Sequence, residues 1–316
     1  MGSLRDVEYW IFSGIANDAA RKANNSRVVH EIQKYEDGEE GTKLRDIHSE
    51  ALRDYDEINR LIQAGFYFAR KADFHIPGSA ADLGSGTGIG AAILSKLPEI
   101  ETVYAVEYSE EFALRMMPVV FADYGALSDK IVRVVGDFNN LKLEDNSLSV
   151  ILDIDSFHHS EDLAVTLKEC HRVLKPGGVI ISVDRAWSDT ITRDELEKKL
   201  DVEYSDARKA IFGIPIGQSY RRRDNGEHEY TIKDWINYYQ NAGFEPYVFS
   251  QVHPPKLNSL FLKVLPGVKS HKVVYLNLNK SLKKSYHITA EQKRKQDGYD
   301  ETKRTNDNTG RTSNDR

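Results

Sequence analysis

The sequence predicts an α/β fold, a mostly parallel sheet with helices on both faces, preceded by a helical N-terminal extension. Three observations predict it. Strand-length apolar runs, "TVYAVE" (102–107), "IVRVVG" (131–136), "LSVILDI" (148–154) and "GVIISVD" (178–184), alternate with longer helical segments at 88–97, 109–124 and 160–174. Strands separated by helices pair in parallel, and the crossover helices cover the two faces. A glycine-rich turn, "ADLGSGTGIG" (81–90), joins a short apolar run to the first of those helices. Finally, "KPGG" (175–178) stops a helix and releases the chain into the next strand.

The elements follow in order. Residues 1–76 read as the helical extension. From Lys43 onward, Leu44, Ile47, Leu52, Tyr55, Ile58, Leu61, Ile62 and Phe66 fall three or four apart and make one apolar stripe. "YEDGEEGTK" (35–43) before it is a polar, glycine-broken connection. The aromatics Tyr9, Trp10, Phe12, Tyr55, Phe66, Tyr67 and Phe68 are expected to pack against the rest rather than to form a lid. The α/β domain is placed at 77–266. Within it, Ser160 followed by Glu161 and Asp162 reads as a helix start. The rhythm breaks at 185–230, a charged, partly helical insert containing "FGIPIGQSYRRRDNG" (212–226). It resumes with "TIKDWINYYQNAGF" (231–244), which has a Thr-x-x-Asp capping pattern. "EPYVFSQV" (245–252) and "NSLFLKVL" (258–265) read as two last strands. Residues 267–316 read as a polar tail, disordered from about residue 280, because so few apolar side chains cannot offset the entropy of ordering. There are no internal repeats.

Composition narrows the classes. The chain has 316 residues, 40% of them hydrophobic and 29% charged, which suits a soluble globular protein. No apolar run approaches the roughly 18 residues of a membrane span. The first residues lack the basic-then-apolar order of a secretory signal, and Asp6 stands where a myristoylation signal wants Ser or Thr. A single cysteine, Cys170, excludes an internal disulfide and a cysteine-rich zinc site. A cytoplasmic address is expected. The formal charge of -6 argues against a nucleic-acid partner, which needs a basic footprint. A homo-oligomer is left open.

The glycine turn raises the question of its ligand. A phosphate-binding P-loop needs a Lys after its glycines, and none follows here. A dinucleotide fingerprint starting at Gly84 fits at Gly86 but meets Ile89 where its third glycine belongs. The chain instead carries Asp-x-Gly-x-Gly-x-Gly, at Asp82, Gly84, Gly86 and Gly88. Further along, Glu107 ends the strand in "YAVEYS", about 20 residues past the glycines, where an acid can accept ribose hydroxyls. "VVGDFNNLKL" (134–143) sets Asp137 at the end of the third strand with Phe138 beside it, and "HRVLKPGG" (171–178) follows the fourth.

Over residues 78–184, and more loosely over 231–265, this succession resembles the class I S-adenosylmethionine-dependent methyltransferases, in particular the ubiquinone-type and small-molecule enzymes. The resemblance implies a Rossmann-like seven-stranded sheet and S-adenosylmethionine as cofactor. It implies that Asp82, Gly84, Ser85, Gly86, Gly88, Glu107, Tyr108, Asp137, Phe138 and Asp153 hold that cofactor. Asp82 would receive its ammonium, Glu107 the ribose and Asp137 the adenine amino group. Leu141-Lys142-Leu143 and Leu148-Ser149 depart from the Leu-Pro-Phe and Phe-Asp common in the family.

The chemistry is expected at "DIDSFHHSED" (153–162), where the family brings the methyl acceptor. A hydroxyl acceptor needs a base, and His titrates near neutrality. His158 or His159 is the candidate, His158 slightly ahead, with Asp155 beside them; a packing and capping role for the pair is the other reading. Asp153, Asp155 and the histidines could be assembled into a metal site, but no spacing demands one, and none is expected. The insert is expected to cap the acceptor. Tyr220, Arg221 and Arg222 suit a phosphate or carboxylate on it, although a solvated charged loop is the commoner fate of such a run. The expected activity is methyl transfer to a hydroxyl or amine of a small molecule or sugar. A non-catalytic binding module, a protein or RNA acceptor and a nicotinamide dehydrogenase are the competing readings.

Overall fold

The computed structural model describes residues 4–36, 55–252 and 270–279, all within the first of the chain's two units, Met1–Ser281. Its strands are β1 (Glu8–Tyr9), β2 (Gly78–Leu83), β3 (Ile100–Glu107), β4 (Ile131–Val135), β5 (Leu148–Ile154), β6 (Leu174–Trp187), β7 (Phe244–Val252) and β8 (Ser270–Asn279). They form one sheet in the order β1-β4-β3-β2-β5-β6-β8-β7. β1 to β6 pair in parallel, while β8 lies antiparallel between β6 and β7.

The sheet therefore has eight strands where the resemblance implies seven. The additional strand is β1, two residues that pair Glu8 with Val134 and Tyr9 with Val135 at the edge. Trp10 continues the pairing through its amide, which donates to the Val135 carbonyl at 2.9 Å. The far edge also differs from expectation. "SHKVVYLNLN" falls within the expected polar tail, yet its Val-Val-Tyr-Leu run lies in a strand, so the sheet runs to Asn279 rather than ending at 266. The strand expected at 258–265 and the tail beyond 280 lie outside the described residues.

Neighbouring residues of the inner strands face opposite ways, and the two cores record it. Ala80, Val150, Val179 and Ile181 join one core with Val28 and Ile32 of α1 (Asp18–Glu36), Ile62 and Phe66 of α2 (Tyr55–Lys71), α3 (Ile89–Ser95) and α4 (Met117–Asp123). Ala81, Ile151 and Ile180 join the other, with Leu163 and Leu167 of α5 (Leu163–Val173) and Trp235 and Tyr239 further on. Gly65 lets α2 lie close on the sheet: a Cβ there would come 2.6 Å from Ile181 Cγ2. Helix α5 starts two residues later than expected, because Asp162 rather than Ser160 is its cap, accepting the Val165 amide at 3.1 Å.

The insert holds α6 (Arg193–Leu200), α7 (Asp206–Ile211) and a 3-10 turn, Arg222–Asn225. Helix α8 (Ile232–Asn241) follows, with the expected capping box between Thr231 and Asp234. All parallel strands point their C-terminal ends to one rim, where the connecting turns gather.

Candidate functional site

A cavity of about 370 Å³ opens at that rim, over the ends of β2 to β5. Its floor is the glycine turn. The amides of Gly84 and Ser85 both donate to the Val106 carbonyl at 2.9 Å, which fixes the turn against β3. Gly84, Gly86 and Gly88 all have positive φ, at 69°, 51° and 87°, backbone that glycine adopts most readily. They differ in surroundings. A Cβ on Gly84 would strike Ser156 at 2.5 Å and one on Gly88 would strike Phe121 at 2.6 Å, whereas nothing lies within 4 Å of one on Gly86. Gly84 and Gly86 both line the cavity, and of the three glycines only Gly86 has open space where a Cβ would stand.

Three acids stand at three successive strand ends. Asp82 closes β2, and its Oδ2 accepts the Ala91 amide at 2.7 Å. Burial pushes its carboxyl up to about 7, against the pull of hydrogen bonds from Ser85 and Ala91. Glu107 closes β3 and accepts the amides of Gly86 at 2.7 Å and Ser109 at 2.8 Å. Burial raises it too, and those amides work in the other direction. Asp137, past β4, accepts the amides of Ser13 at 2.7 Å and Asn139 at 2.8 Å. Each carboxylate oxygen so held keeps a second lone pair for a ligand.

Asp82, Gly84, Ser85, Gly86, Glu107, Tyr108, Asp137 and Phe138 all line the cavity, together with Asp155 and His159. The remaining expected positions lie elsewhere. Gly88 sits behind the floor against Phe121. Asp153 is fully buried and committed: it accepts the Ser156 hydroxyl at 2.6 Å, the Phe157 amide at 3.0 Å and the Ser182 hydroxyl. It ties the turn after β5 to β6 and does not line the cavity.

The two histidines separate cleanly. They occupy a 3-10 turn, Phe157–His159, in which consecutive side chains point about a third of a turn apart. His158 turns inward, with Nδ1 2.7 Å from Asp184 Oδ1, and its carbonyl accepts the His228 amide at 2.9 Å. Burial holds that ring neutral, and the charges of His159 and Arg185 act in the same direction. His159 turns to the cavity. Burial lowers it as well, while Glu227, Asp155 and a hydrogen bond to the Asn225 carbonyl pull the other way. The slight preference for His158 is thus corrected by location: His158 braces the turn and His159 reaches the cavity.

Asp155 has a φ of 53°, rare outside glycine, and its side chain is 57% exposed at the cavity wall. Its carboxylate stands 3.8 Å from Arg185 Nε and 3.9 Å from His158 Nδ1. Asp155, His158 and Asp184 bring one ligand-type atom each within 4.8 Å of the others. The His158 nitrogen is already bonded to Asp184, however, and Arg185 supplies positive charge there.

The insert does not present its arginines to the cavity. Arg221 pairs with Asp201 at 3.3 Å, and Arg222 donates to Glu227 at 2.9 Å and pairs with Glu229. Tyr220 is buried beside Phe212 and Ala23, donating to Asn225 Oδ1 at 3.2 Å. Acids in the insert and in α6 take the guanidinium groups, since a half-buried cation needs a partner. The expected anion site at Tyr220, Arg221 and Arg222 is corrected accordingly.

What the sequence reading missed is the roof. Asn17, Ala20, Asn24 and Arg27 of the first helical segment line the cavity, as do Ile58 and Leu61 of α2. The spacing 17, 20, 24, 27 marks one helix face, which was the available signal. Tyr108 is clasped from this side, its ring 5.2 Å from Phe12 and 5.7 Å from the Arg21 guanidinium. Glu161 and Asn225 also face the cavity.

Comparison with known proteins gives the same region. The family described as "Methyltransferase domain" matches residues 81–182. A sterol 24-C-methyltransferase of Aspergillus fumigatus is 30% identical over 166 residues, covering 52% of this chain and 39% of that protein. A demethylmenaquinone methyltransferase of Chlorobaculum tepidum is 29% identical over 173 residues, covering 52% of this chain and 66% of that one. Among solved structures, a candidate sarcosine dimethylglycine methyltransferase of Galdieria sulphuraria superposes with a TM-score of 0.50 at 17% identity, covering 75% of this chain and 88% of that one. This chain therefore spans only part of the length of the curated relatives it matches.

Proposed function

We propose that this chain, which carries the class I S-adenosylmethionine-dependent methyltransferase domain, moves a methyl group from that cofactor to a hydroxyl or amine of a small molecule or sugar. The observation that carries the reading is the conjunction at the cavity floor. Gly86 offers bare backbone to open space, and Asp82, Glu107 and Asp137 surround it from three consecutive strand ends. That donor set fits the cofactor. Asp82 would receive the ammonium of its amino-acid end, Glu107 the ribose hydroxyls and Asp137 the adenine amino group, with Phe138 and Tyr108 against the ring. When bound, the cofactor supplies a methyl group on a positively charged sulfur.

The chain's own part is to hold the acceptor in line and to take its proton. His159, which lines the cavity and whose pKa burial lowers, is the residue we assign to that. Asp153 and the His158–Asp184 pair position it by fixing the turn on which it rides. A cytoplasmic location belongs to the same reading; among the described residues no helix is long and apolar enough to cross a membrane. The relatives' acceptors, a sterol and a demethylmenaquinone by their names, support a small-molecule acceptor without selecting one.

The test is to incubate the purified chain with methyl-labelled cofactor and deproteinised cell extract, then with the protein and RNA fractions separately. Label entering the small-molecule filtrate is the expected result, with His159→Gln reducing it about 100-fold or more. Label entering only protein or RNA would transfer the reading to a macromolecular acceptor. No transfer to any fraction, with cofactor still bound, would favour a binding module.

A further inference from the structure

We propose that Glu227 is a positioning residue for methyl transfer: it locks the insert onto the end of β6 and so holds the turn that carries His159 at the cavity. The inference rests on the methyltransferase reading with His159 as its base, and adds what keeps that base in place. Glu227 is buried, and its carboxylate is the meeting point of three segments. Arg222 of the 3-10 turn donates to it through Nε at 2.9 Å and also through Nη2. Tyr204, between α6 and α7, donates its hydroxyl. Arg185 donates from Nη2 at 3.0 Å and belongs to β6, so this third contact joins the insert to the sheet.

One residue on, His228 makes a second connection. Its amide donates to the His158 carbonyl at 2.9 Å, and its Nδ1 stands 3.2 Å from the same oxygen. His158 is in turn held to Asp184, the neighbour of Arg185, by its amide at 3.0 Å and its Nδ1 at 2.7 Å. Asp184 and Arg185 of the sheet, with Glu227 and His228 of the insert, thus grip the turn Phe157–His159 in a closed ring of contacts. The backbone of Arg185 is fixed on both sides. Its amide donates to Asp184 Oδ1 at 2.6 Å, and its carbonyl accepts the Trp235 indole at 2.8 Å. The guanidinium therefore reaches Glu227 from a rigid base.

Charge strengthens the lock. Burial opposes ionisation of Glu227, yet Arg222, Arg185 and Tyr204 hold its carboxyl down to about 2. Hydrogen bonds between ionised partners are about twice as strong as neutral ones, and removing one partner leaves the other's charge buried. Glu227→Gln would keep the shape but leave one acceptor oxygen and turn an amide donor toward guanidinium groups that can only donate. The ring would open there. His159 reports that opening, its imidazole lying 4.2 Å from that of His158, centroid to centroid. Asp155 and His158 flank it on its own turn, Arg185 on β6 and Glu227 on the insert, while Glu161 and the roof's Arg27 line the same cavity. Burial is the strongest influence on its pKa and lowers it; Glu227 is the next and raises it. An open ring admits water and removes both influences, so the larger one decides and the pKa rises. If Glu227 were only a neighbouring charge, its loss would lower the pKa instead. The sign separates the two.

The experiment uses the full chain saturated with S-adenosylhomocysteine. The imidazole nitrogens of His159, assigned through His159→Gln, are followed by NMR against pH in the parent, Glu227→Gln, Glu227→Asp and Asp201→Asn. Asp201 pairs with Arg221 and Arg223 inside the insert, so its loss loosens the insert without touching the ring. Glu227→Gln is expected to raise the proton affinity of His159 about tenfold, Glu227→Asp to recover part of the change, and Asp201→Asn to leave it within about twofold. Methyl-label transfer to the small-molecule filtrate should fall about tenfold or more in Glu227→Gln, while S-adenosylhomocysteine affinity stays within about twofold. Tyr204→Phe, which removes one donor from Glu227, replaces Glu227→Gln if that variant does not fold, and should move the titration the same way by about twofold or more. A His159 titration that stays put or moves to lower pH, or one that Asp201→Asn moves as far, would overturn the proposal. So would loss of transfer matched by loss of S-adenosylhomocysteine affinity. Absence of transfer by the parent chain would count against the methyltransferase reading instead, and the titration would still decide the lock.

Discussion

Gly86 and Gly88 share a left-handed backbone and differ in what a methyl group on each would meet. Open cavity faces Gly86, so Gly86→Ala should cost only the strain of positive φ, roughly 1–2 kcal/mol, and should weaken S-adenosylhomocysteine at least about tenfold. Phe121 faces Gly88 at 2.6 Å, so Gly88→Ala should add overpacking to strain, roughly 2–5 kcal/mol in all. Thermal melts and ligand titration of both variants check this; equal losses of stability would count against the assigned geometry. His159 gives a second expectation. Its pKa is depressed, so turnover should persist below pH 6.5 and fall only as the ring takes up a proton, and His159→Gln should abolish that acid limb. An unchanged acid limb in the variant would remove His159 as base. At this scale the acids were legible, because Asp82 and Glu107 stand within a residue of a strand end and Asp137 two residues past one, and strand ends can be read from local pattern. The choice between His158 and His159 was not. It depends on Asp184, 26 residues away, which draws one imidazole inward and leaves the other outside.

The element that the sequence least disclosed is the N-terminal segment. Its helix α1 is polar on most sides, so the face carrying Asn17, Asn24 and Arg27 looks like a face in solvent. Only the tertiary arrangement shows that it roofs a cavity, touching the floor through the Ser13 amide on Asp137, the Ser109 hydroxyl on Asn25 and the Phe12 and Arg21 contacts with Tyr108. Ligand in the cavity should therefore slow amide exchange in residues 13–27 along with the glycine turn. Exchange that slows in the turn alone would mean that the segment does not close over the ligand. The parallel strands were legible from their apolar runs, and the helices on both faces from the spacing between runs. β8 was not, because it sits within a polar stretch of sequence and one of its two neighbours, β6, lies more than eighty residues away. The arginines of the insert misled for a different reason: Arg222 is taken by Glu227 and Glu229 a few residues further on and Arg221 by Asp201 twenty residues back, pairings that a run of arginines does not announce.

Over the whole molecule, the fold places buried acids under a cavity, and this makes stability depend on pH. Asp82 is raised from 3.8 to about 7 in the folded chain, so the native state binds the proton that the unfolded state has lost between those values. Stability contributed by this group is therefore lost as pH rises through that window and changes little above it. Asp82→Asn should melt higher than the parent chain at pH 8 and lose that advantage progressively as pH falls to 3.8; a constant difference would contradict the assignment. The charged carboxylate is also the form that receives an ammonium, so cofactor affinity should fall as pH drops below about 7. The central claim is that the glycine turn and its three acids hold S-adenosylmethionine. The most direct measurement is a calorimetric titration of the full chain with S-adenosylmethionine, with NAD as control, repeated on Glu107→Ala. Binding of the first ligand alone, weakened about tenfold or more by the substitution, is the predicted result. Binding of NAD, or of neither ligand, would contradict it.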